Sequence, residues 1–582
     1  AMSPFFGVTA ETAAGFLDSP AWEVLRPGIN WDDNTTFFAP NPGVLYPAIY
    51  ELAERTLAAA KSARTFDQQS QEGWRCSLTG EAEWLTTDRD QLKESYRQRT
   101  DTLWAKIAKK KPAWAKKGEH LSALPAIKRL WPTVFAEEAG RGVAARDDGE
   151  ANRLDRFVVS THTMALARHL DAWLEKGGLT AAGLRERLNE PGVESVALPR
   201  KVMLRHRVNP DAIGDAKRLP GLLEKADEEN DETGRGETER LVRKTFGVDR
   251  LETYYALIMM DGDHMGKMLS GEDEESGIAF RESFHPRTKM WFDKVAAMQP
   301  RIGKYGQQKR PVSPNRHLAI SGALNDFSQT VVRHVVEYEH LGRVLYAGGD
   351  DVLAMLPVTD LLSAMQRLRQ AYGGDSPRDA AIDRGHTGER NSLLCKNGFA
   401  WLNGRLMRML GEKATASCGA VIAHHQTPLG AVMRELRAAE RRAKGEGKRN
   451  AFSITVIKRS GGALYLTDKW GEALDTLNAL VFFLRDDDVS RRAVYHTLEW
   501  VKDLPEPGKN RELLQKMLAY QLSRQSGGQG KMLDAAGLAG RLVALTLRQQ
   551  PMDKQCEWLK NFLTVGEFLA REVRATPIGE TA

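Results

Sequence analysis

A Gly-Gly-Asp-Asp motif at residues 348–351 is the feature that most constrains the fold of this 582-residue chain. Short apolar runs rich in strand-forming residues lie on both sides of it, at 343–346 and 352–356. Because glycine adopts the positive φ angles of tight turns, the motif predicts a β-hairpin. Its turn would carry two adjacent carboxylates, Asp350 and Asp351, whose mutual repulsion favours a bound cation. An acidic turn exposed to solvent is the alternative interpretation.

A second stretch brings a third carboxylate to the same place. The residues from 253 to 260 are almost continuously apolar, which predicts a strand buried on both faces. An Asp-Gly-Asp sequence follows directly, so Asp261 would end a central strand beside the hairpin turn. Asp261, Asp350 and Asp351 would together supply the ligands for two divalent cations. Two such ions can activate a 3′-hydroxyl and stabilise a leaving pyrophosphate.

A third stretch, 443–450, contains a candidate phosphate contact, Lys444. It follows a predicted helix over 429–442 and precedes a predicted strand over 451–457. A lysine ammonium can bind phosphate oxygens as a point charge. Alternatively, Lys444 only opposes the dipole at the C-terminal end of its helix.

The order of the predicted elements indicates an α+β fold. In chain order they are a strand at 253–260, helices ending with 318–339, the hairpin at 343–356, a helix near 358–371, a strand near 417–423, the helix at 429–442 and the strand at 451–457. This βααββαβ order is typical of the ferredoxin-like palm of nucleotide cyclases and polymerases. Helical domains are expected on both sides of the palm.

The three motifs resemble the palm of a known family. The Asp-Gly-Asp-His-Met-Gly-Lys sequence at 261–267, the Gly-Gly-Asp-Asp motif and the Ala-Lys-x-x-Gly-x-Arg-Asn element resemble the CRISPR polymerase family. This family is the large cyclase/polymerase subunit of type III RNA-guided effector complexes. Further similar stretches at 313–317, 320–327 and 458–461 indicate its Cmr (type III-B) branch. The resemblance extends from about Trp31 to the C-terminus.

The resemblance implies a metal-dependent nucleotidyltransferase that makes cyclic oligoadenylate from ATP when target RNA binds. Asp261, Asp350 and Asp351 would be catalytic and would hold two Mg²⁺ or Mn²⁺ ions. Implied partners are other Cmr-type effector subunits, with guide CRISPR RNA and target RNA contacted through the complex. A stand-alone cyclase of the diguanylate type is one alternative, although Val352 stands where those cyclases have phenylalanine. A palm that binds nucleotides as an inactive scaffold is the other.

Six residues are expected to contact the nucleotide: Gly262, Asp263, Ser321, Gly348, Gly349 and Lys444. The two hairpin glycines would form the turn and leave room for the ligand, and Gly262 would add its backbone carbonyl to the metal site. Asp263 and Ser321 each have an alternative role as a helix cap. The histidines at 264, 424 and 425 are assigned structural roles.

Two stretches resemble the paired Cys-x-x-Cys elements of the zinc module in this family. Only Cys76 is a cysteine here, and the other three ligand positions are Thr79, Ser122 and Pro125. A tetrahedral zinc site needs four thiolate, imidazole or carboxylate ligands. We therefore expect the module to keep its shape and to bind no zinc.

The chain divides into five predicted parts. These are an N-terminal segment at 1–60, interpreted as a remnant of a first cyclase-like domain, a degenerate zinc-finger-like module at 61–140, a helical domain at 141–247, the palm at 248–470 and a C-terminal helical domain at 471–582. No His-Asp dipeptide occurs, so the HD nuclease that the family often carries is expected to be absent. The charged stretch 224–239 predicts an exposed linker, 373–388 a mobile polar insertion, and everything after 462 helices.

The chain is mildly basic, with a net charge of +6, and its most basic stretch is Lys106–Lys117. Lysines interleaved with tryptophans could bind a phosphate backbone and stack on bases. The alternative is a lysine-rich surface helix whose tryptophans face the core. Four scattered cysteines form no disulfide framework, and no apolar run is long enough to cross a bilayer. A cytoplasmic protein without a membrane partner is therefore expected.

Overall fold

The computed structural model of the chain describes residues 46–573, except for a set of internal segments. These are 67–69, 97–98, 112–113, 145–158, 181, 229–231, 272–276, 308, 311, 381–391, 487–488, 504–506 and 525–533. Most of the predicted N-terminal segment at 1–60 lies outside the described residues.

In the described part of the chain, nine strands form two sheets. They are β1 (Tyr254–Gly262), β2 (Arg343–Gly348), β3 (Asp351–Pro357), β4 (Leu394–Lys396), β5 (Phe399–Leu402), β6 (Arg405–Arg408), β7 (Ala416–His424), β8 (Ala451–Ile457) and β9 (Ala463–Lys469). Six of them form the main sheet in the order β2-β3-β1-β7-β8-β9, and β4, β5 and β6 form a small separate sheet. Of the neighbouring strand pairs described in the main sheet, β7 and β8 are parallel and the other four pairs are antiparallel. The predicted α+β palm fold is confirmed.

Helices cover both faces of the main sheet, and other helices form separate clusters, such as the one around Cys76. In chain order they are α1 (Tyr46–Ser62), α2 (Leu103–Lys110), α3 (Ala123–Ala144), α4 (Thr161–Glu175), α5 (Ala182–Leu188), α6 (Arg200–Arg205), α7 (Pro210–Glu228), α8 (Glu232–Phe246), α9 (Met265–Ser270), α10 (Pro286–Met298), α11 (Pro300–Gln307), α12 (Pro314–Asp326), α13 (Leu361–Gly373), α14 (Pro377–Ala380), α15 (Leu429–Lys444), α16 (Glu472–Arg485), α17 (Arg492–Trp500), α18 (Arg511–Arg524), α19 (Ala535–Arg548) and α20 (Lys554–Glu572). After α12 the helix continues through π-helical turns to Glu339. None of the helices in the described part of the chain is long and apolar enough to span a membrane.

The central strand β1 is buried on both faces because its apolar side chains alternate between two cores. Ala256 and Ile258 belong to a core formed with α12, α13 and the C-terminal helices. Tyr255 and Leu257 belong to a second core formed with α15 and helices of the segment before β1. A strand covered on both sides needs this continuous apolar sequence. The two cores therefore fix β1 at the centre and carry its acidic C-terminal end to the edge of the sheet.

Three expectations outside the palm motifs were wrong. The stretch 224–239 is no linker, because it comprises the end of α7 and the beginning of α8, with Thr238 buried. The chain after 462 is not all helical, since β9 pairs antiparallel with β8. The first part of the predicted insertion is packed: Asp379 is buried and accepts hydrogen bonds from Arg367 and from the backbone of Cys395.

Candidate active site

The strand register brings the acidic end of β1 beside the acidic turn of the β2–β3 hairpin. Met260 pairs with Val352, the residue that follows the two hairpin aspartates. Because the strands are antiparallel, the next residue of β1, Asp261, lies beside Asp351. Gly348 pairs with Asp351, which leaves Gly349 and Asp350 as the two turn residues. Gly349 has a φ of 65°, a conformation that glycine adopts without strain. The hairpin predicted over 343–356 thus lies where the motif placed it.

Gly262 allows the turn to approach β1 closely. A β-carbon at this position would lie 2.8 Å from Oδ2 of Asp350 and 2.4 Å from the hydroxyl of Tyr372. Both distances are shorter than real β-carbon contacts, so a larger residue at this position would require the side chains of Asp350 and Tyr372 to move. This contact is one reason why the site needs the sequence Asp-Gly after the strand.

The two hairpin carboxylates, Asp350 and Asp351, have raised pKa values. Burial raises the pKa of Asp350 to about 6, and the charges of Asp261 and Asp351 and a hydrogen bond with Asp261 add to the effect. Burial and the charge of Asp261 also raise the pKa of Asp351, while Lys444 opposes this shift. Closely spaced carboxylates without a neutralising cation show this behaviour. The cluster therefore favours the binding of positive charge.

Lys444 supplies one positive charge to the cluster from the C-terminal turn of α15. Its ammonium forms an ion pair with Asp261 and a second one, of 2.6 Å, with Glu440. Burial disfavours the charged lysine, but the hydrogen bonds with both carboxylates outweigh this effect and raise its pKa. Glu440 was not predicted as part of the site, although its i, i+4 spacing from Lys444 on the predicted helix indicates an ion pair.

Asp263 lies in a network of hydrogen bonds within the protein. Its buried carboxylate accepts bonds from the hydroxyls of Thr415 and Ser417, at 2.8 and 2.7 Å, and from the backbone N–H of Asn450, at 2.8 Å. It caps no helix, because the residue before α9 is His264 and no side chain caps that end. The geometry gives Asp263 the role of joining the β1 end, β7 and the loop after Lys444, and its contact with a nucleotide stays a prediction.

That loop is held in an unusual conformation. Lys448, Arg449 and Asn450 have φ angles of 52°, 59° and 42°, which are rare for residues with a side chain. The amino group of Lys469 binds the carbonyls of Lys448 and Arg449, at 3.0 and 2.6 Å. Together with Asp263, this lysine fixes the segment that follows Lys444.

Ser321 lies in the middle of α12 and is exposed, so it is no helix cap. The cap is Ser313, whose hydroxyl accepts a bond from the N–H of Arg316. The neighbouring Ile320 lines a cavity of roughly 610 Å³, together with Met268 from α9 and the loop that leads to β7. The cavity opens between the helix that follows the Asp-Gly-Asp sequence and α12, and it is large enough for a small ligand.

The donor set suits a hard divalent cation, since carboxylate oxygens are the ligands that Mg²⁺ and Mn²⁺ prefer. Among the described residues, however, no three Asp, Glu, His or Cys side chains are grouped so that they could hold a metal ion. Lys444 is bonded to Asp261 instead. The residues therefore suit divalent metal ions by their chemistry, while Lys444 occupies one oxygen of Asp261.

The degenerate zinc module brings its ligand positions together without the ligands. Burial alone would raise the pKa of Cys76, but hydrogen bonds from the backbone of Ser122, Thr79 and Leu78 and from the Thr79 hydroxyl lower it to about 7. Three of the four expected ligand positions, Cys76, Thr79 and Ser122, therefore lie close together. The binding of zinc here stays a matter of prediction, and the residue types at Thr79 and Ser122 do not suit it.

An aromatic core fills the interior of this module. The ring of His120 stacks on Tyr96 at 4.2 Å and contacts the edge of Trp84. Trp104 from α2 is buried in the same core. The lysines that follow on α2, Lys109 and Lys110, are exposed. A tryptophan in the core and lysines in solvent match the alternative interpretation of this stretch and leave its contact with RNA open.

The main sheet, with an acidic hairpin turn beside an acidic strand end, defines a palm domain of the nucleotide polymerase and cyclase class. Residues 254–383 match the family model of the Cas10/Cmr2 second palm domain. The resemblance predicted from the sequence is thus confirmed for the palm, and this part of the chain is similar to Cas10/Cmr2.

The similar proteins agree with this assignment. The CRISPR system Cmr subunit Cmr2 of Pyrococcus furiosus is 30% identical over 282 residues, which are 48% of this chain and 27% of the relative. Cryo-EM structures of Type III-B Cmr-beta, in the apo state and bound to cognate target RNA, contain chains of similar fold. The apo structure has a TM-score of 0.58 at 16% identity, and the match covers 91% of this chain and 62% of that chain. The RNA-bound structure has a TM-score of 0.59 at 16% identity, and the match covers 92% of this chain and 63% of that chain. The chain therefore spans less than two thirds of the length of these relatives.

Proposed function

We propose that this chain is the large subunit of a type III-B CRISPR effector complex and makes cyclic oligoadenylate from ATP when target RNA binds. The observation that carries the proposal is the convergence of Asp261, Asp350 and Asp351 with Lys444 at one edge of a Cas10/Cmr2 palm. The solved structure of Type III-B Cmr-beta bound to cognate target RNA supports Cmr subunits and RNA as partners.

In this reaction a 3′-oxygen forms a bond to the α-phosphorus of ATP, and the bond to the β-phosphate oxygen breaks. Pyrophosphate leaves, and the proton of the hydroxyl passes to water. Bound Mg²⁺ or Mn²⁺ would lower the pKa of that hydroxyl and offset the charge of the leaving group. The three aspartates provide the negative charge that holds these ions.

Lys444 changes partner in the proposed reaction. It neutralises Asp261 in the ligand-free protein, and it would bind the triphosphate once metal ions occupy the carboxylates. Glu440 remains bonded to the ammonium and keeps it charged at the site. Lys444 and the ions therefore compete for Asp261 in the absence of ATP.

The cavity beside α12 is the candidate site for the base. Apolar side chains on its walls, among them Met268, Ile320 and Leu410, suit a flat purine ring, and Arg310 lies at the same cavity. Apolar walls with a few polar groups are typical of small-ligand sites. Ser321 lies one residue from this wall and outside the cavity lining.

The test is incubation of the assembled complex with ATP, Mg²⁺ or Mn²⁺ and target RNA, followed by mass analysis of the products. The double variant Asp350→Ala/Asp351→Ala is expected to form none while still binding target RNA. Asp553→Ala, at an exposed aspartate directly before α20, is the matched control and should keep full activity. Oligoadenylates from the double variant would refute the site assignment. If the unmutated complex forms no product under either metal, the inactive-scaffold interpretation is favoured. If product forms without target RNA, the stand-alone cyclase interpretation is favoured.

A further inference from the structure

A second cavity, of roughly 350 Å³, lies at the opposite end of the two central strands from the acidic cluster. It is lined by residues at the beginning of β1 and the end of β7, together with residues of α4, α7 and α8. Tyr254 and His424 pair at this end of the sheet, while Gly262 and Ala416 pair at the other. Eight residues of strand separate the ends, so the cavity is roughly 25 Å from the candidate active site.

The lining of this cavity is rich in positive charge. Four arginines contribute to it: Arg235, Arg243, Arg250 and Arg459. Arg235 pairs with Asp227 at 2.9 Å and Arg250 with Glu572 at 3.0 Å, so two of the four are neutralised.

The other two arginines have no carboxylate partner in the described part of the chain. Arg243 donates to the carbonyl of Asp249 at 3.0 Å, and its Nε is buried without a partner. Arg459 is exposed at the β8–β9 turn and forms no hydrogen bond or ion pair with any described residue. These guanidinium groups disfavour a bound cation and provide donors for an anion such as phosphate.

Three histidine rings form a column on one wall. His162 stacks on His425 with ring centroids 4.0 Å apart and an angle of 11°, and His425 stacks on His424 at 4.6 Å. Burial, and then the neighbouring positive groups, lower the pKa of His424 to about 4 and that of His425 to about 3. These two rings are therefore neutral near pH 7, and the rings at the two ends of the column, His162 and His424, are the ones on which a base can stack.

Two polar groups of the lining are more than nine-tenths buried and lack a hydrogen-bond partner. They are Nδ1 of His162, a residue that is 6% exposed, and Oε1 of Glu252, a residue that is 8% exposed; Oε1 of Glu224 lies 3.7 Å from Nδ1 of His162, beyond hydrogen-bond distance. Buried polar atoms are usually bonded to protein, water or ligand. Burial, and then the charge of Glu572, raise the pKa of Glu252 to about 8, so this side chain can donate a hydrogen bond near neutral pH.

We propose that this cavity binds a nucleoside monophosphate, with the phosphate at Arg243 and Arg459 and the base against the histidine column. The volume lies in the range of small-ligand sites, and the unpartnered atoms of His162 and Glu252 provide polar contacts for the ligand. This site is separate from the palm carboxylates, and it lies where helices α4, α7 and α8 meet the sheet.

The test is calorimetric titration of the full chain with AMP in the presence of a chelator, which removes the divalent ions needed at the palm carboxylates. We expect saturable one-to-one binding below about 1 mM, and much weaker binding of adenosine and of inorganic phosphate. Arg459→Gln should weaken binding about ten- to hundredfold, because one charged phosphate contact is lost. His162→Phe, which keeps the ring stack and removes the ring nitrogens, should also weaken it.

Two control variants locate the site. Arg541→Gln, an exposed arginine outside the cavity, and Lys444→Ala, at the palm carboxylates, should bind AMP like the parent chain. The proposal is overturned if AMP does not bind saturably, if Arg459→Gln and His162→Phe both bind like the parent, or if Lys444→Ala abolishes binding. Equal affinities for AMP and inorganic phosphate would overturn the assignment of a nucleotide. Failure of any of these tests leaves oligoadenylate synthesis at the palm unaffected.

Discussion

Replacing Asp350 with asparagine should stabilise the metal-free protein at neutral pH. The pKa of this carboxyl rises from 3.8 to about 6 on folding, mainly through burial and then through the neighbouring aspartates. Each pKa unit corresponds to about 1.4 kcal/mol, which gives at most about 3 kcal/mol. Because the group is partly exposed, solvent screening reduces this figure to about 1–2 kcal/mol.

The sign of the effect follows from linkage. A carboxyl whose pKa is raised on folding stabilises the protein when it is protonated, and this contribution is lost as the pH rises from about 4 through about 6. Asparagine does not titrate, so the variant and the parent should differ at pH 7 and converge near pH 4. The expected difference at pH 7 is a rise in melting temperature of about 1 °C per kcal/mol, because the unfolding entropy grows with the length of the 582-residue chain.

The measurement is thermal unfolding of Asp350→Asn and the parent in chelator at pH 4, 5, 6 and 7, with Asp553→Asn as the control. Adding Mg²⁺ at pH 7 should then stabilise the parent more than the variant, because only the parent keeps the full set of carboxylates. A variant that is less stable than the parent at pH 7, or a difference that does not change with pH, would refute the electrostatic argument.

Three further predictions concern the candidate active site and the zinc-finger-like module at 61–140. Lys444→Ala should reduce kcat/KM for ATP about ten- to hundredfold, with Arg541→Gln as the control; a value equal to the parent's would remove Lys444 from the phosphate site. Replacing Lys109, Lys110 and Lys111 with alanine should reduce the log–log salt slope of RNA binding by about 0.7–0.9 per lost contact, and an unchanged slope would support the surface-helix interpretation. Elemental analysis of protein purified without chelator should find no stoichiometric zinc, because Cys76 is the one cysteine among the four expected ligands; a one-to-one zinc signal would contradict this.

The palm could be predicted from sequence because its elements have strong local signals. Strand β8 begins and ends at the predicted residues, 451 and 457, and the hairpin lies where glycines separate two apolar runs. Strand β9 was missed because it is only seven residues long and Leu466 is its one buried residue, so its sequence carries little apolar signal. The small sheet of β4, β5 and β6 was missed for a similar reason, since its strands are three or four residues long.

The site was predictable only where sequence neighbours are also neighbours in space. Asp261 and Asp263 look equivalent in the sequence, and the structure separates them. The donors that occupy Asp263, Thr415 and Ser417, lie about 150 positions further along the chain. The arginines and histidines of the second cavity likewise come from separate helices and strand ends, so no local motif signals them.

The module around Cys76 has a hydrophobic interior made of its own side chains. The rings of Trp84, Tyr96 and His120 contact one another, and Nε2 of His120 bonds the hydroxyl of Thr102 at 2.8 Å. Zinc-dependent modules of similar size unfold when a chelator removes their ion or when their thiols are oxidised. If the module binds no zinc, as predicted, a chelator has no ion to remove from it, and the packed rings would hold it together. The folded structure of the module should then persist under metal starvation and oxidative stress, and it should be lost mainly on heating.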